Sequence, residues 1–290
     1  MILCQFDENR LGVVANGAVR DVTSALEALP SQRYPYPAGD AFIAALPTLR
    51  ERIAAAARDA RAIPVAQVRL LSPVANPGKV VAAPVNYKKH LEEVAADANL
   101  HHQNPAHLRA IREAGLFLKA SSSVVGASQG VAIRHPERRT DHEVELAVII
   151  GERASGVAAK DALRVVAGYC IGLDISVRGS EDRSFRKSVD SYTVLGPWMV
   201  TADEIVDPSS LDLSITVNGE VRQKANTRDL ILGVPELIEF ATSFYTLLPG
   251  DVLLTGTPEG VGPIQAGDAM HASIERIGEM DVQVRDAQGR

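Results

Sequence analysis

The sequence predicts an α+β protein with a β-rich main body and a small N-terminal α/β domain. Three observations lead there. From Leu116 onward short strand-like runs dominate: LFLK, SSVVG, VELAVIIG, YCIGLDISV, GPWMVT, LDLSITVNG and DVLLTG. Two helical stretches interrupt them, at about 158–166 and 234–246. Pro64, Pro73 and Pro77 punctuate the chain ahead of this body and place a boundary near residue 76. Many short strands with few helices suit a mixed sheet, roll or barrel rather than a doubly wound parallel fold. The expected division is therefore 1–76 and 77–290.

Each element has a local reason. Residues 1–23 alternate as ILCQF, RLGVV and AVRDVT, which reads as a small hairpin or meander. Asn16-Gly17 suits a type I′ turn because both positions tolerate positive φ. Phe42, Ile43, Leu46, Leu49 and Ile53 recur at helical spacing, and Pro47 predicts a break in that helix. Lys79 to Ala83 is a short apolar strand, and His90-Leu-Glu-Glu93 looks like a helical turn. Residues 95–114 are polar and hold His101, His102 and His107; they predict a mobile helical insertion. Asn218-Gly219 marks another hairpin.

Composition narrows the function. The chain has 290 residues, 46% apolar and 23% charged, with a net charge of −6. An acidic balance argues against nucleic-acid binding and against a polybasic membrane anchor. Cys4 and Cys170 make no disulfide framework and no zinc spacing. No apolar run is long enough to span a bilayer, and MILCQFDENR lacks the pattern of a signal peptide. A cytoplasmic protein is expected.

The chemistry concentrates in a few motifs. In Asp141-His142-Glu143-Val144-Glu145, the two glutamates share one face of a strand. Adjacent carboxylates are costly without a cation between them, and oxygen ligands favour Mg²⁺, Mn²⁺ or Ca²⁺ over Zn²⁺. A solvated strand face is the alternative. Asp174, inside Tyr169-Cys-Ile-Gly-Leu-Asp174-Ile-Ser, is either a third metal carboxylate or a core acid paired with Arg178. His90 and Glu93 can touch across one helical turn, so the carboxylate could orient the imidazole to deprotonate water. A surface pair is the alternative. Lys119 and Lys187 could hold an enolate or a carboxylate, or be ordinary surface lysines. The glycines at 256, 260 and 262 do not fit a phosphate loop. They suggest a tight turn offering Thr255, Thr257 and backbone N–H groups to a small anion. The three histidines at 101, 102 and 107 lack an acidic or cysteine partner at zinc spacing.

Taken in order, NYKKHLEE, LFLKASSSVVG, DHEVELAVIIG, VAGYCIGLDISVRG, RKSVDSYTVLGPWMVT, VNGEVRQ and LLPGDVLLTGTPEGVG resemble the fumarylacetoacetate hydrolase family, in its bacterial two-domain branch. The resemblance covers about 79–276. It implies a mixed β-roll or sandwich core, a divalent cation (usually Mg²⁺) and a homodimer. It places the metal ligands at Glu143, Glu145 and Asp174, and the His–Glu dyad at His90 and Glu93. It assigns Lys187 to the active site, and Arg178 and Thr257 to the substrate; Lys119 is expected at the substrate as well, on its residue type and not on the resemblance. The implied activity is C–C hydrolysis of an acylpyruvate or β-diketo acid, fumarylpyruvate-like. The alternatives are isomerisation, decarboxylation or tautomerisation of a 2-oxo diacid, hydrolysis of a diketo-deoxy sugar acid, or a non-catalytic metal-stabilised binder. Two departures stand out. The loop GSEDRSFR between Arg178 and Lys187 carries Glu181, which needs Arg183 or Arg186 as a partner. The insertion after Glu93 is expected to act as a lid.

Overall fold

The computed structural model describes residues 1–96 and 109–287. Most of the expected lid, with His101, His102 and His107, lies outside the described residues. The chain opens with β1 (Ile2–Phe6), β2 (Arg10–Ala15) and β3 (Ala18–Asp21). Asn16 and Gly17 have φ of 51° and 73°, the positive pair a type I′ turn requires. α1 (Ala41–Asp59) begins where the Asp40 carboxylate accepts from the Ile43 N–H at 3.0 Å. It runs unbroken through Pro47, against expectation. A proline inside a helix costs about 3 kcal/mol. Burial of Phe42, Ile43, Leu46, Leu49 and Ile53 outweighs that, at roughly 1.5–3 kcal/mol each.

After β4 (Ala62–Pro64) and β5 (Leu70–Leu71) come β6 (Val80–Ala82), α2 (Lys88–Ala96), α3 (Ile111–Ala114), β7 (Phe117–Lys119), β8 (Val124–Gly126) and β9 (Val131–Ile133). The acidic motifs lie around β10 (Thr140–His142), β11 (Val144–Ile150), β12 (Val166–Asp174) and β13 (Ser176–Val177). The helix expected near 158–166 is a 3₁₀ helix, Ala159–Val165, which ends in β-branched residues entering β12. α4 (Arg183–Lys187), β14 (Thr193–Thr201), β15 (Asp212–Val217), β16 (Glu220–Asn226) and α5 (Val234–Phe244) follow. The described chain closes with β17 (Val252–Leu254), β18 (Gly262–Pro263), β19 (Ala269–Ile274) and β20 (Gly278–Asp286).

The largest sheet runs β4-β3-β2-β1-β14-β12-β11-β17-β6-β7, with β5 on β1 and β8 on β14. β1 pairs antiparallel with β14, Ile2 opposite Val200, so the N-terminal strands extend the main sheet. The smaller sheets are β13-β10-β18 and β16-β15-β19-β20-β9. Most pairings are antiparallel; β17 with β6, β14 with β8 and β20 with β9 are parallel. β11 is buried along its whole length and serves two cores. Val144, Leu146, Val148 and Ile150 join Leu237 and Ile238 of α5. Ala147 and Ile149 join Ile43, Leu46 and Ile53 of α1. Among the described residues, no helix is long and apolar enough to cross a membrane.

Candidate active site

The register of β11 on β12 assembles the acids. Glu145 lies opposite Gly172, and the Asp174 N–H donates to Glu143 O at 2.9 Å. Because strand faces alternate, Glu143, Glu145 and Asp174 share one face. All three are buried, and each offers a carboxylate oxygen within 4.8 Å of the others. The solvated-face alternative is thereby removed.

Cations surround two of these acids. Lys187 Nζ donates to Glu143 Oε2 at 2.6 Å, Asp174 Oδ2 at 2.7 Å and Ser176 Oγ at 2.5 Å. Arg178 donates through Nε to Asp141 Oδ2 at 2.7 Å and through Nη2 to Glu143 Oε1 at 2.9 Å. Burial raises the Glu143 carboxyl, but Lys187 and then Arg178 outweigh it and hold the group well below the ordinary range. Glu145 is driven the other way. Burial, then the charges of Asp174 and Glu143, push it well above the ordinary range. Its Oε2 accepts one backbone bond, from the Gly256 N–H at 2.6 Å. A buried carboxylate left short of positive charge, with two more beside it, is a donor set that fits a hard divalent cation.

Lys119 is placed behind the cleft wall, not on it. Its ammonium is spent on Asp174 and on Tyr192 O, the latter at 2.9 Å. Burial pushes this ammonium below its ordinary value, against the pull of Asp174. Asp174 therefore pairs with two lysines rather than with Arg178.

The dyad forms on α2. His90 Nδ1 lies 2.8 Å from Glu93 Oε2, and Glu93 Oε1 accepts from the Gly260 N–H at 2.9 Å. His90, Glu143, Glu145, Asp174, Arg178, Lys187 and Thr257 all line one cleft. The loop after β17 ties the two halves together. Its amides were expected to hold a small anion, but Gly256 and Gly260 hold the protein's own carboxylates instead. Both glycines have positive φ, and a Cβ on Gly260 would come within 2.1 Å of Arg222 O. The Thr257 hydroxyl donates to Val144 O at 2.9 Å and accepts from Gln223 Nε2 at 2.8 Å. Val85, also on the cleft wall, has φ of 42°, a strained value for a β-branched residue. Asn86 holds it there with side-chain bonds to Leu232 O, Leu232 N and Thr255 O.

The structure gives Glu181 a different partner and adds two residues, Ser176 and Gln223, that the motifs did not single out. Glu181 pairs with Arg138 Nη2 at 2.9 Å, not with Arg183 or Arg186. Ser176 donates to Glu143 Oε1 at 2.9 Å. Gln223 on β16 is buried; its Oε1 accepts from the Val144 N–H at 3.1 Å and faces His142 Nδ1, while its Nε2 serves Thr257 and Pro258 O. The motif VNGEVRQ held the glutamine, but nothing local marked it as inward. Stranding a buried N–H costs ~1–3 kcal/mol. Gln223→Leu should therefore lose on the order of 3 kcal/mol. Urea unfolding followed by circular dichroism checks this; an unchanged midpoint would deny the bridge.

A separate apolar groove, lined by Ile43, Leu46, Leu163 and Val206 among others, holds none of these groups.

The chain is similar to known proteins over nearly its whole length. The family model described as fumarylacetoacetate (FAA) hydrolase, C-terminal, matches residues 79–285. A maleylpyruvate hydrolase of Aquipseudomonas alcaligenes is 59% identical over 285 residues, covering 98% of this chain and 99% of its own length. The crystal structure of maleylpyruvate hydrolase from Sphingobium sp. SYK-6, in complex with manganese(II) ion and pyruvate, matches with a TM-score of 0.84 and 41% identity. That match covers 99% of this chain and 100% of the other. A mitochondrial oxaloacetate tautomerase of Rattus norvegicus is 36% identical over 228 residues, 74% of this chain and 69% of its own length. The carboxylate cluster, the dyad and the loop that joins them all fall inside the matched stretch, and on that basis the chain belongs to the fumarylacetoacetate hydrolase family.

Proposed function

We propose that this chain is a divalent-cation-dependent hydrolase that cleaves the C–C bond of an acylpyruvate, with maleylpyruvate and fumarylpyruvate the foremost substrates. The observation that carries this is the meeting of a buried three-carboxylate cluster with a histidine–glutamate pair across one cleft. A cation site alone would need no base, and a base alone would need no such cluster. Near-full-length similarity to a maleylpyruvate hydrolase supports the substrate class.

Glu143, Glu145 and Asp174 would hold the cation, Mg²⁺ or Mn²⁺, which supplies Lewis acidity to the 2-oxo acid end of the substrate. The remaining work falls to side chains. Glu93, held by the Gly260 N–H, fixes His90 through Nδ1. The other ring nitrogen, Nε2, is then free to take a proton from water. Hydroxide attacks the distal carbonyl, the C–C bond breaks, and the electron pair leaves as the pyruvate enolate. The Lys187 ammonium, beside Glu143 and Asp174 on the cleft wall, would offset that negative charge, and such stabilisation is usually the largest single catalytic contribution. The enolate takes up a proton to complete pyruvate.

The proposal includes a homodimer in the cytoplasm, acting on a small molecule and not on nucleic acid or membrane. A net charge of −6 supports the exclusion of nucleic acid. It also includes 1–76 as a small N-terminal domain and 95–114 as the lid.

The test is a spectrophotometric panel of maleylpyruvate, fumarylpyruvate, acetylpyruvate and oxaloacetate, with Mg²⁺ and again with chelator. The expected result is cation-dependent loss of diketone absorbance with equimolar pyruvate. Turnover of oxaloacetate alone, without cleavage, would move the assignment to tautomerisation, a reading favoured by similarity to an oxaloacetate tautomerase.

A further inference from the structure

α4 places three cationic side chains on the cleft wall: Arg183, Arg186 and Lys187. The Lys187 ammonium is spent on Glu143, Asp174 and Ser176. Arg178, entering from β13, is spent on Asp141 and Glu143. Arg186 differs from both. It is 3% exposed, yet its Nε donates to Glu181 O at 2.9 Å and its Nη1 to Val177 O at 3.0 Å. Both acceptors are neutral carbonyls. The nearby Glu181 carboxylate turns away to Arg138. Among the described residues, no carboxylate forms an ion pair with Arg186, and its Nη2 makes no hydrogen bond.

A buried guanidinium without a counterion is costly, so it favours a site where an anion arrives. The two carbonyl bonds hold the planar fork in one orientation at the cleft wall. That fork suits a carboxylate better than an ammonium would. Burial, then the charge of Arg178, already pushes this guanidinium below its ordinary value, so an arriving anion would relieve it. Three carboxylates on the cleft face four cationic side chains, Arg178, Arg183, Arg186 and Lys187. A divalent cation at the carboxylates would add positive charge to the cleft while Arg186 keeps no carboxylate partner among the described residues. A substrate with one carboxylate offsets part of that charge, and one with two offsets more.

We propose that Arg186 receives the far carboxylate of an acylpyruvate whose acyl arm ends in a carboxylate, and so makes the site selective for diacids over acylpyruvates with an uncharged arm. This rests on the hydrolase reading above. It makes Arg186 a specificity-determining residue rather than a second site.

The experiment compares the parent, Arg186→Gln and Arg186→Lys on maleylpyruvate, whose arm ends in a carboxylate, and acetylpyruvate, whose arm ends in a methyl group. Pyruvate release is followed in the presence of Mg²⁺. Arg186→Gln is expected to lower kcat/KM for maleylpyruvate on the order of 100-fold, as loss of one partner in a buried charge pair does. The loss on acetylpyruvate is expected to be at least tenfold smaller. Arg186→Lys should fall between, because charge survives and the fork does not; it also carries the comparison should the glutamine variant fold poorly. An equal loss on both substrates would show a merely structural role and overturn the inference alone. Failure of the parent to release pyruvate from either substrate would overturn the hydrolase reading itself, and this inference with it.

Discussion

His90→Ala is expected to lower kcat by roughly 10²–10⁴-fold, the usual cost of losing a general base, while calorimetry finds the Mg²⁺ affinity unchanged. The split follows from geometry. His90 bonds Glu93, and Glu93 is anchored by the Gly260 amide, so neither is bonded to the three carboxylates. Truncating the ring leaves Glu143, Glu145 and Asp174 with all their existing partners. An equal fall in cation affinity would refute the division of labour between dyad and cluster.

Glu145→Gln should act in the opposite sense on binding and on stability. The amide keeps an acceptor for the Gly256 N–H and removes one of three crowded acids. Burial with Asp174 and Glu143 raises the carboxyl of Glu145 in the folded chain. A raised folded value means its contribution to stability is present below the unfolded pKa and is lost as pH rises through the folded value. At neutral pH and in chelator, then, the variant should be at least as stable as the parent. Added Mg²⁺ should reverse the order. A cation at a hundred times its Kd stabilises the parent by about 2.7 kcal/mol, and the variant should gain none of this. Melting curves with and without Mg²⁺ decide it; a variant that still gains stability from Mg²⁺ would remove Glu145 from the ligand set.

The parts of this molecule that local chemistry controls were readable in advance. The Asn16-Gly17 and Asn218-Gly219 turns need only two residues that accept positive φ. Glu143 and Glu145 share a face by strand periodicity alone. Asp174 is different: its place depends on Glu145 lying opposite Gly172, a register that no short pattern sets. Family resemblance, not spacing, brought it into the site. Pro47 misled because the rule against helical proline is local, whereas burial of the stripe around it is tertiary. Glu181 pairs not with a neighbour in sequence but with Arg138, 43 residues earlier in the chain. Lys119 was expected at the substrate, and pairing of β7 on β6 turns it inward to Asp174 instead. Gln223 is a polar residue on the inner side of a strand, and only the packed structure shows what it bridges.

The loop after β17 gives one short stretch of backbone two anchoring duties, Gly256 for Glu145 and Gly260 for Glu93. The arginine wall hangs from a different segment, α4. The proton-transfer pair and the arginines are thus mounted on separate parts of the chain, while Lys187, which bonds Glu143 and Asp174, shares α4 with Arg183 and Arg186. An evolving or engineered descendant can exchange residues 183–186 and keep Lys187, and so alter the substrate preference without touching His90, Glu93 or the Gly256 and Gly260 anchors. Insertions or deletions in the 255–262 stretch have no such freedom, because a single shift there dislodges both at once.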